Sequence, residues 1–377
     1  MLFRSRAQVR SVDCCEVRHN EEIVFYPSYV APDSTGEQWT MHIQGCIYNL
    51  NLPWLRHPIM GAIRRALRID AEFTETFASR LKPFLVGVEE NRQIVVRVGQ
   101  ELVDAGKTSA AGLFNGAITL SKETLENITG EAVRPGLWVP CQAVLDPSDN
   151  RQFDGASIVV DRQGLSVISD VDDTVKHSNV SNRRDLFQNT FARVFSPVDG
   201  MAEIYRDLAA RGAVFHYVSG SPWQLYRPLR EFWETYQFPV GSFHLKRFRL
   251  RDSARKLKKS PQMQHKRTSI DPILTAFPDR KFVLIGDTGE QDPEIYASVL
   301  RDFPQQILGV YLRALHGETA DWPRFQQGFA DLPADKWHLY PHHEELRSRV
   351  LECVEKYDGF RSQVVLPEPP PLSMPDT

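Results

Sequence analysis

The segment SVISDVDDTV at 166–175 constrains this chain more than any other. An apolar run typical of a buried strand ends there in carboxylates, with Asp170 and Asp172 two residues apart. Side chains at i and i+2 of an extended segment point to the same face. Both carboxylates are therefore expected together at the carboxyl end of a strand, where open α/β sheets bind ligands. An Asp-rich surface turn is the alternative, but close carboxylates repel each other unless a cation or a shared proton intervenes.

Later apolar runs at 214–222 and 281–287 also end in polar groups. Strands separated by helical segments predict a parallel sheet, whose carboxyl ends lie along one edge. We therefore expect the polar groups at these ends to converge on one site. Those groups, with a lysine at the start of a predicted short helix, are Ser219, Gly220, Ser221, Lys266, Asp287 and Asp292.

These motifs resemble those of the haloacid dehalogenase superfamily of phosphohydrolases. DVDDT corresponds to the first motif, DxDx[TV], Ser219 to the second, Lys266 to the third and GDTGEQD to the fourth, GDxxxxD. The stretches SDVDDTV, VSGSPW, FHLK, HK and IGDTGEQDPEIY resemble one branch more closely, the family of the actin-patch-associated phosphatidate phosphatase of yeast and its bacterial relatives. The resemblance covers roughly 166–313. It implies an α/β fold with a Rossmann-like parallel sheet and a minimal cap.

The resemblance also implies a reaction, the Mg²⁺-dependent hydrolysis of phosphatidate to diacylglycerol and phosphate. Asp170 would attack phosphorus and form an aspartyl-phosphate. Asp172 would protonate the leaving alcohol and then activate the water that hydrolyses the intermediate. Ser219 would hydrogen-bond a phosphoryl oxygen, and Lys266 would bring a positive charge to the same group.

A metal site made only of oxygen ligands is implied as well, and such a site suits Mg²⁺. Asp170 and Asp287 would hold the ion with the backbone carbonyl of Asp172, while Asp292 would act less directly. The remaining acid, Asp173, is predicted to cap the segment that follows it. The predicted substrate contacts are Thr174, Gly220 and Lys246.

Two lysines compete for the catalytic position. The spacing between Lys266 and Asp287 leaves room for one helix and one strand, whereas Lys246 lies much farther from Asp287. The spacing favours Lys266 and leaves Lys246 as a substrate contact. Among the hydroxyls, Ser219 is preferred to Ser221 because it directly follows the apolar strand.

Composition is that of an ordinary globular protein of two domains. The chain has 377 residues, of which 42% are hydrophobic and 25% charged, and its net charge of −3 gives no sign of a nucleic-acid partner. Five scattered cysteines lack metal-ligand spacing, which predicts buried thiols in a reducing compartment. We find no signal-peptide core and no apolar run of about 18 residues, so no transmembrane segment is expected. These features predict a cytoplasmic protein that visits membrane surfaces.

The chain divides into four predicted regions. Residues 1–160 are predicted to be a β-rich domain, a small sandwich or barrel, in which alternating apolar residues mark 38–49 as a strand. Residues 161–315 are predicted to form the phosphatase domain and 316–362 a helical extension. The Pro-rich end, 363–377, is predicted to be disordered.

Three features bear on the substrate. The segment between Thr174 and Ser219 is too short for a large cap, which predicts an open site suited to a bulky or surface-bound substrate. Residues 244–267 contain ten Lys or Arg against one Asp. Such a cluster attracts anionic lipid or nucleic acid, or is a solvated loop. Residues 52–69 predict a basic amphipathic helix, which either lies in a bilayer interface or packs on the β-rich domain.

The function predicted from these features is hydrolysis of an anionic phospholipid at a membrane surface, without a nucleic-acid partner. Two alternatives stay open. One is a phosphatase of phosphoproteins or soluble phosphate monoesters. The other is a catalytically silent scaffold that binds membranes or proteins, although a silent site has no need of mutually repelling carboxylates.

Overall fold

A computed structural model describes most of the chain, namely residues 14–49, 61–62, 65, 73–247 and 262–357. Nearly all of the helix predicted over 52–69 lies outside the described residues, and so does the tail at 363–377. The middle of the basic cluster, 248–261, also lies outside them. Within the described ranges, no helix is both long and apolar enough to cross a bilayer.

Eight strands of the N-terminal region form one curled sheet. They are β1 (Glu21–Tyr26), β2 (Ser28–Pro32), β3 (Gln38–Asn49), β4 (Gln93–Val98), β5 (Glu101–Lys107), β6 (Leu113–Ser121), β7 (Trp138–Ala143) and β8 (Asp154–Val159). Their order is β1-β3-β2-β8-β7-β4-β5, and β6 pairs with β3. All these pairs are antiparallel except β2 with β8. In the described part of the same region lie the helices α1 (Thr74–Leu85) and α2 (Lys122–Thr129).

Strand β3 shows how this sheet builds its core. Its residues Trp39, Met41 and Ile43 occupy alternate positions and are all buried, as the alternation predicted. On the same face, a Cβ at Gly45 would lie 2.4 Å from a backbone oxygen and 2.5 Å from the ring of Phe114, so only glycine fits there. All eight strands belong to one sheet, so the core of this region is enclosed by one curled sheet rather than by two stacked sheets.

Six parallel strands form the second sheet. They are β9 (Leu165–Ser169), β10 (Val214–Pro222), β11 (Gly241–Lys246), β12 (Lys281–Asp287), β13 (Ile307–Arg313) and β14 (Trp337–Tyr340), in the order β11-β10-β9-β12-β13-β14. The helices of this region are α3 (Arg183–Phe191), α4 (Met201–Ala210), α5 (Tyr226–Tyr236), α6 (Gln262–Ala276), α7 (Asp292–Asp302), α8 (Pro323–Gly328) and α9 (His343–Glu355). Apolar clusters cover both faces of the sheet, which explains why β9 and β12 are continuous apolar runs.

The strand order fixes the place of a ligand site. From β9 the chain moves outward through β10 and β11, and then crosses back to β12 on the other side of β9. The strand order therefore reverses beside β9. In open α/β sheets, the crevice at such a reversal, at the carboxyl ends of the strands, is where ligands bind.

The region predicted as a helical extension, 316–362, also contains a strand. Its helical part is present as α9, but β14 pairs in parallel with β13 and extends the sheet beyond residue 315. The prediction missed β14 because WHLY is a four-residue edge strand with three half-buried side chains. Such a strand has little hydrophobic pattern of its own and is defined by its pairing with β13.

The two sheets meet at the free edge of β11. The backbone N–H of Phe243 donates to the carbonyl of Pro27 at 3.1 Å. The Gln44 side chain donates through Nε2 to the carbonyls of both Pro27 and Phe243, at 3.1 and 2.8 Å. Nearby, Arg227 forms an ion pair with Glu22. These bonds cover a strand edge that would otherwise leave unpaired backbone groups.

Candidate active site

Three buried carboxylates meet at the carboxyl edge of the parallel sheet. Asp170 directly follows β9, Asp287 ends the neighbouring strand β12, and Asp292 is the first residue of α7. One oxygen from each lies within 4.8 Å of the others. Each of these residues is at most 1% exposed. The convergence expected from the strand order is thus present in the structure.

Lys266 lies inside this acidic cluster. Its Nζ is 2.6 Å from Oδ1 of Asp170 and also contacts Asp292. Burial alone would lower the pKa of Lys266, but the two carboxylates outweigh burial and raise it well above its usual value. The lysine therefore stays charged and offsets part of the repulsion among the acids.

The acidic cluster is short of positive charge even with Lys266. Burial raises the pKa of Asp170 and of Asp287 well above the usual range, and Asp292 raises both further, against the opposing effect of Lys266. Oδ2 of Asp170 and Oδ2 of Asp292 have no hydrogen-bond partner among the described residues. Unpartnered buried carboxylate oxygens are costly. A hard divalent cation such as Mg²⁺ takes oxygen ligands, so the residues fit a metal site.

Asp172 has different partners from Asp170. Its Oδ1 accepts hydrogen bonds from Lys176 Nζ and Ser178 Oγ, each at 2.6 Å. Its Oδ2 accepts from Ser219 Oγ at 3.1 Å and Ser221 Oγ at 2.6 Å. Burial would raise the pKa of Asp172, but the Lys176 charge and these hydrogen bonds outweigh it and hold the pKa below its usual range. The Asp172 carboxylate is not part of the metal-binding group.

Lys176 is the residue that sequence reasoning missed. It is fully buried, its Nζ bonds to both Asp172 and Ser178, and it lies 4.8 Å from the centre of the Phe195 ring. Its position four residues after Asp172 was the available signal. A lysine so close to a strand-end acidic motif is a natural partner for one of the acids, but its burial could not be read from the sequence.

Asp173 caps the turn that follows it, as predicted. Its backbone is in the left-handed region, with φ 56°. Its carboxylate accepts three backbone N–H groups, those of Ser178, Asn179 and Val180, at 2.7–2.8 Å. Its carbonyl accepts from the Arg313 guanidinium at 2.7 Å. The third acid of the motif therefore holds the loop in place and is not part of the metal-binding group.

The three predicted substrate contacts lie at different parts of the site. Thr174 Oγ1 donates to Oδ2 of Asp287 at 3.5 Å, the limit of a hydrogen bond. Gly220 is half-buried in β10, between the two serines that bond to Asp172. Lys246 ends β11 and is half-buried. In the described part of the chain it makes no ion pair with the acidic cluster, where Lys266 is found instead.

The predicted openness of the site is not observed. A single short helix, α3, lies between β9 and α4, in agreement with a minimal cap. However, the loop before it folds over the strand ends, and Val180 lies beside Gly289 and Asp287. Counting residues could not predict this, because the cover is a loop pinned by Asp173.

Helix α1 of the N-terminal region supports this cover. The Arg80 guanidinium donates to the carbonyls of Thr190 and Arg193, at 3.1 and 2.6 Å. The rings of Phe84 and Phe191 pack edge to face with centroids 5.0 Å apart. The N-terminal region therefore contacts the cover of the site as well as the edge of the parallel sheet.

Comparison with known proteins identifies the class of this site. Residues 165–314 match the family model described as phosphatidate phosphatase APP1, catalytic domain. The match confirms the resemblance of this segment to the phosphatidate phosphatase family, and it supports a phosphatase.

Two curated relatives match the same part of the chain. An uncharacterized protein of Schizosaccharomyces pombe is 36% identical over 159 residues, and the phosphatidate phosphatase APP1 of Saccharomyces cerevisiae is 36% identical over 164 residues. These alignments cover 41% and 42% of this chain, but only 26% and 27% of the relatives. The chain thus aligns with about a quarter of each relative's length.

The structural similarity to a solved protein is weak. A Thermotoga maritima crystal structure assigned as a beta-phosphoglucomutase aligns with 50% of this chain and 99% of that chain, at 11% identity and a TM-score of 0.30. A score this low supports no statement about the fold.

Proposed function

We propose that this protein is a Mg²⁺-dependent phosphatidate phosphatase, which hydrolyses phosphatidate to diacylglycerol and phosphate. The observation that carries the proposal is the buried cluster of Asp170, Asp287, Asp292 and Lys266 at the reversal of strand order. The match of 165–314 to a phosphatidate phosphatase catalytic domain supports the substrate. The motifs support a sheet of the haloacid dehalogenase type.

Asp170, Asp287 and Asp292 would hold the metal ion, together with the backbone carbonyl of Asp172. A bound Mg²⁺ supplies charge that neutralises the carboxylates and the phosphoryl oxygens, so that two anions can approach each other. Lys266 supplies a second, fixed positive charge beside Asp170.

Asp170 is the nucleophile in this proposal. Its carboxylate oxygen forms a bond to phosphorus while the bond from phosphorus to the alcohol oxygen breaks, which leaves an aspartyl-phosphate. Asp172 gives a proton to the departing alcohol. In the second half, Asp172 takes a proton from water, and the water oxygen displaces Asp170 from phosphorus. In the structure Lys176 contacts Asp172 at 2.6 Å and holds it as a carboxylate, the form that activates water in the second half. For the first half, Asp172 must take up a proton from solvent as the phosphoryl group draws the Ser219 and Ser221 hydroxyls away from it.

The hydroxyl of Ser219 is proposed to bind a phosphoryl oxygen, with Thr174, Gly220 and Lys246 as further substrate contacts. Ser219 and Ser221 bond to Asp172 in the structure. When a phosphoryl group binds beside Asp172, each serine hydroxyl would donate to a phosphoryl oxygen instead of to the Asp172 carboxylate. The substrate would then free Asp172 for proton transfer.

The proposed setting is the cytoplasm, with attachment to the surface of anionic membranes. The basic residues of 244–267 other than the buried Lys266, nine in number, support it. A surface attraction of this kind weakens with salt because the Debye length falls to about 8 Å at physiological ionic strength. Binding to vesicles of anionic phospholipid should therefore decrease as the salt concentration rises. Binding that does not depend on salt would show that the basic residues are not responsible for attachment.

Phosphate release from phosphatidate in mixed micelles tests the function. The assay is run with and without Mg²⁺, beside p-nitrophenyl phosphate, for the natural protein and for Asp170→Asn. Asp279→Asn, at an exposed surface ion pair, is the matched control. We expect metal-dependent release from the lipid, well above release from the generic ester, to be abolished by Asp170→Asn alone.

Other outcomes select the alternatives. Release from the generic ester alone keeps a phosphatase but moves the substrate to phosphoproteins or soluble esters. No release from either, with retained vesicle binding, favours the scaffold. Full activity of Asp170→Asn would reject this nucleophile.

A further inference from the structure

A cavity of about 470 Å³ lies in the seam between the two sheets. One wall comes from the N-terminal sheet and includes Tyr29, His42 and Phe114; the other comes from β11 and α6 and includes His244 and His265. The volume is within the range of small-molecule sites. The Gln44 bonds to Pro27 and Phe243 fix the two walls relative to each other.

The cavity shares a wall with the candidate active site. His265 lines the cavity, and its Nε2 is 3.3 Å from the carbonyl oxygen of Ser219. The next residue, Lys266, turns the other way and contacts Asp170. In addition, Leu245, which lines the cavity, is paired in register with Ser219. A molecule bound in the cavity would thus lie next to the loop that is proposed to hold the phosphoryl group.

The chemistry of the lining favours an uncharged, hydrogen-bonding ligand. No carboxylate lines the cavity among the described residues, and its one fixed charge, Arg247, is exposed at the rim. Burial lowers the pKa of His42, that of His244 to about 3 and that of His265 to about 4, so the three imidazoles are neutral. A buried anion would lack a compensating charge there.

Some polar groups that line the cavity are held in place by hydrogen bonds, whereas others make none within the described residues. Ser242 Oγ bonds to Nε2 of His244 at 2.9 Å and to Nδ1 of His216 at 2.8 Å, which fixes the His244 ring. The Tyr29 hydroxyl and the His42 ring make no hydrogen bond that the structure records in the described part of the chain. The Tyr29 and His42 rings contact each other, with centroids 4.6 Å apart. The cavity therefore offers hydrogen-bonding groups between aromatic walls, which suits the ester groups of a glycerolipid.

We propose that this cavity binds the alcohol part of the substrate, the glycerol ester region that leaves as diacylglycerol, and that the N-terminal sheet thereby selects the substrate. The role of the cavity in the reaction rests on the proposed function. The preference of the cavity for an uncharged ester does not, because it follows from the residues that line the cavity. The long acyl chains stay outside, because the cavity is small.

Two substitutions in the N-terminal wall test the proposal, Tyr29→Phe and His42→Leu. Thr40→Val is the matched control: Thr40 lies on β3 two residues before His42 and does not line the cavity. The values of kcat/KM are measured for dioctanoyl phosphatidate and for p-nitrophenyl phosphate. We expect each cavity variant to lower kcat/KM for the lipid by about 5- to 30-fold, mainly through KM, as the loss of one or two neutral hydrogen bonds predicts. Values for p-nitrophenyl phosphate, and for the control, should stay unchanged.

An equal fall for both substrates, or no fall for the lipid, would overturn the role of the cavity. If the natural protein hydrolyses neither substrate, the proposed function itself fails, so the two failures are distinguishable. A binding measurement keeps the test of the cavity independent of turnover. Calorimetric titration with soluble dihexanoylglycerol should show binding that His42→Leu weakens by a similar factor and Thr40→Val does not. Absence of binding to the natural protein would reject the ligand class.

Discussion

Asp170 and Asp172 belong to one motif but lie in opposite electrostatic environments. Asp170 is in a crowded acidic cluster with one lysine, and its pKa is raised; Asp172 is surrounded by a lysine and three hydroxyls, and its pKa is lowered. Two residues of sequence thus separate a carboxylate that requires a further cation from one that is already neutralised. The partners of each acid, rather than the acids themselves, therefore divide the proposed roles of metal ligand and proton carrier.

The strongest test of this contrast is removal of the lysine from the acidic cluster. Lys266→Met should destabilise the metal-free protein by about 3–5 kcal/mol, because it leaves buried charges without their partner. Mg²⁺ should recover part of this loss by binding only the folded state. Urea unfolding with and without Mg²⁺ measures both effects. A variant as stable as the natural protein, or one that Mg²⁺ does not stabilise, would contradict the placement of Lys266 among metal ligands.

Removal of the other lysine should affect catalysis more than metal binding. Lys176→Met should lower kcat about 10²- to 10³-fold, in the range of a lost general acid–base function. It should leave the Mg²⁺ concentration needed for half-maximal activity nearly unchanged. Steady-state kinetics with varied Mg²⁺ separates the two quantities, with Lys176→Arg as the conservative control. A large rise in the Mg²⁺ requirement would show that Lys176 also affects metal binding, so that the two lysines do not act on separate carboxylates.

The two environments should also give opposite dependences on pH. The pKa of Asp287 is raised in the folded protein, so its favourable contribution is present at low pH and is lost as the pH rises through that value. The pKa of Asp172 is lowered, so its contribution is present at neutral pH and is lost as the pH falls. Without metal, Asp287→Asn should therefore stabilise at neutral pH by about 1–2 kcal/mol, whereas Asp172→Asn should destabilise by at least as much.

Thermal unfolding in a chelator, from mildly acidic to neutral pH, measures this difference. The effect of Asp287→Asn should shrink as the pH becomes mildly acidic, because the raised pKa of the folded Asp287 lets it bind a proton there. The effect of Asp172→Asn should stay nearly constant over this range, because its contribution is lost only below the unfolded-state pKa of about 3.9. If both substitutions changed the stability in the same direction at neutral pH, the two environments would not differ in the way described.

The smallest effect is expected at Thr174, which contacts the acidic cluster only weakly. Its hydroxyl is 3.5 Å from Asp287, and a bond this long contributes little. Thr174→Val should change stability by about 0.5 kcal/mol or less and kcat by no more than a few-fold. Thr174→Ser is the control that keeps the hydroxyl. A loss of 100-fold or more in Thr174→Val alone would show that this hydroxyl is essential to the reaction and not one weak contact among several.

Much of the parallel sheet could be predicted from the sequence, because its buried strands are apolar runs that end in polar motifs. Strands β10 and β12 lie where these runs predicted them, and Asp170, Lys266 and Asp287 lie together. Strand β14 could not be predicted, because it is short, half-exposed and defined by its pairing with β13. The covered site was missed because the cover depends on three backbone N–H groups that donate to one carboxylate, that of Asp173.

By itself, the sequence determined which side chains stand at the strand ends, since strand periodicity and the polar termini of apolar runs are local properties. The tertiary structure determines which lysine each carboxylate contacts, Lys266 for Asp170 and Lys176 for Asp172. It also determines that the N-terminal sheet closes a cavity against β11. The position of Lys266 and the closing of the cavity depend on contacts between distant segments, of which local sequence patterns contain no record. Lys176 is close to Asp172 in sequence, but its burial depends on the packing of the fold around it.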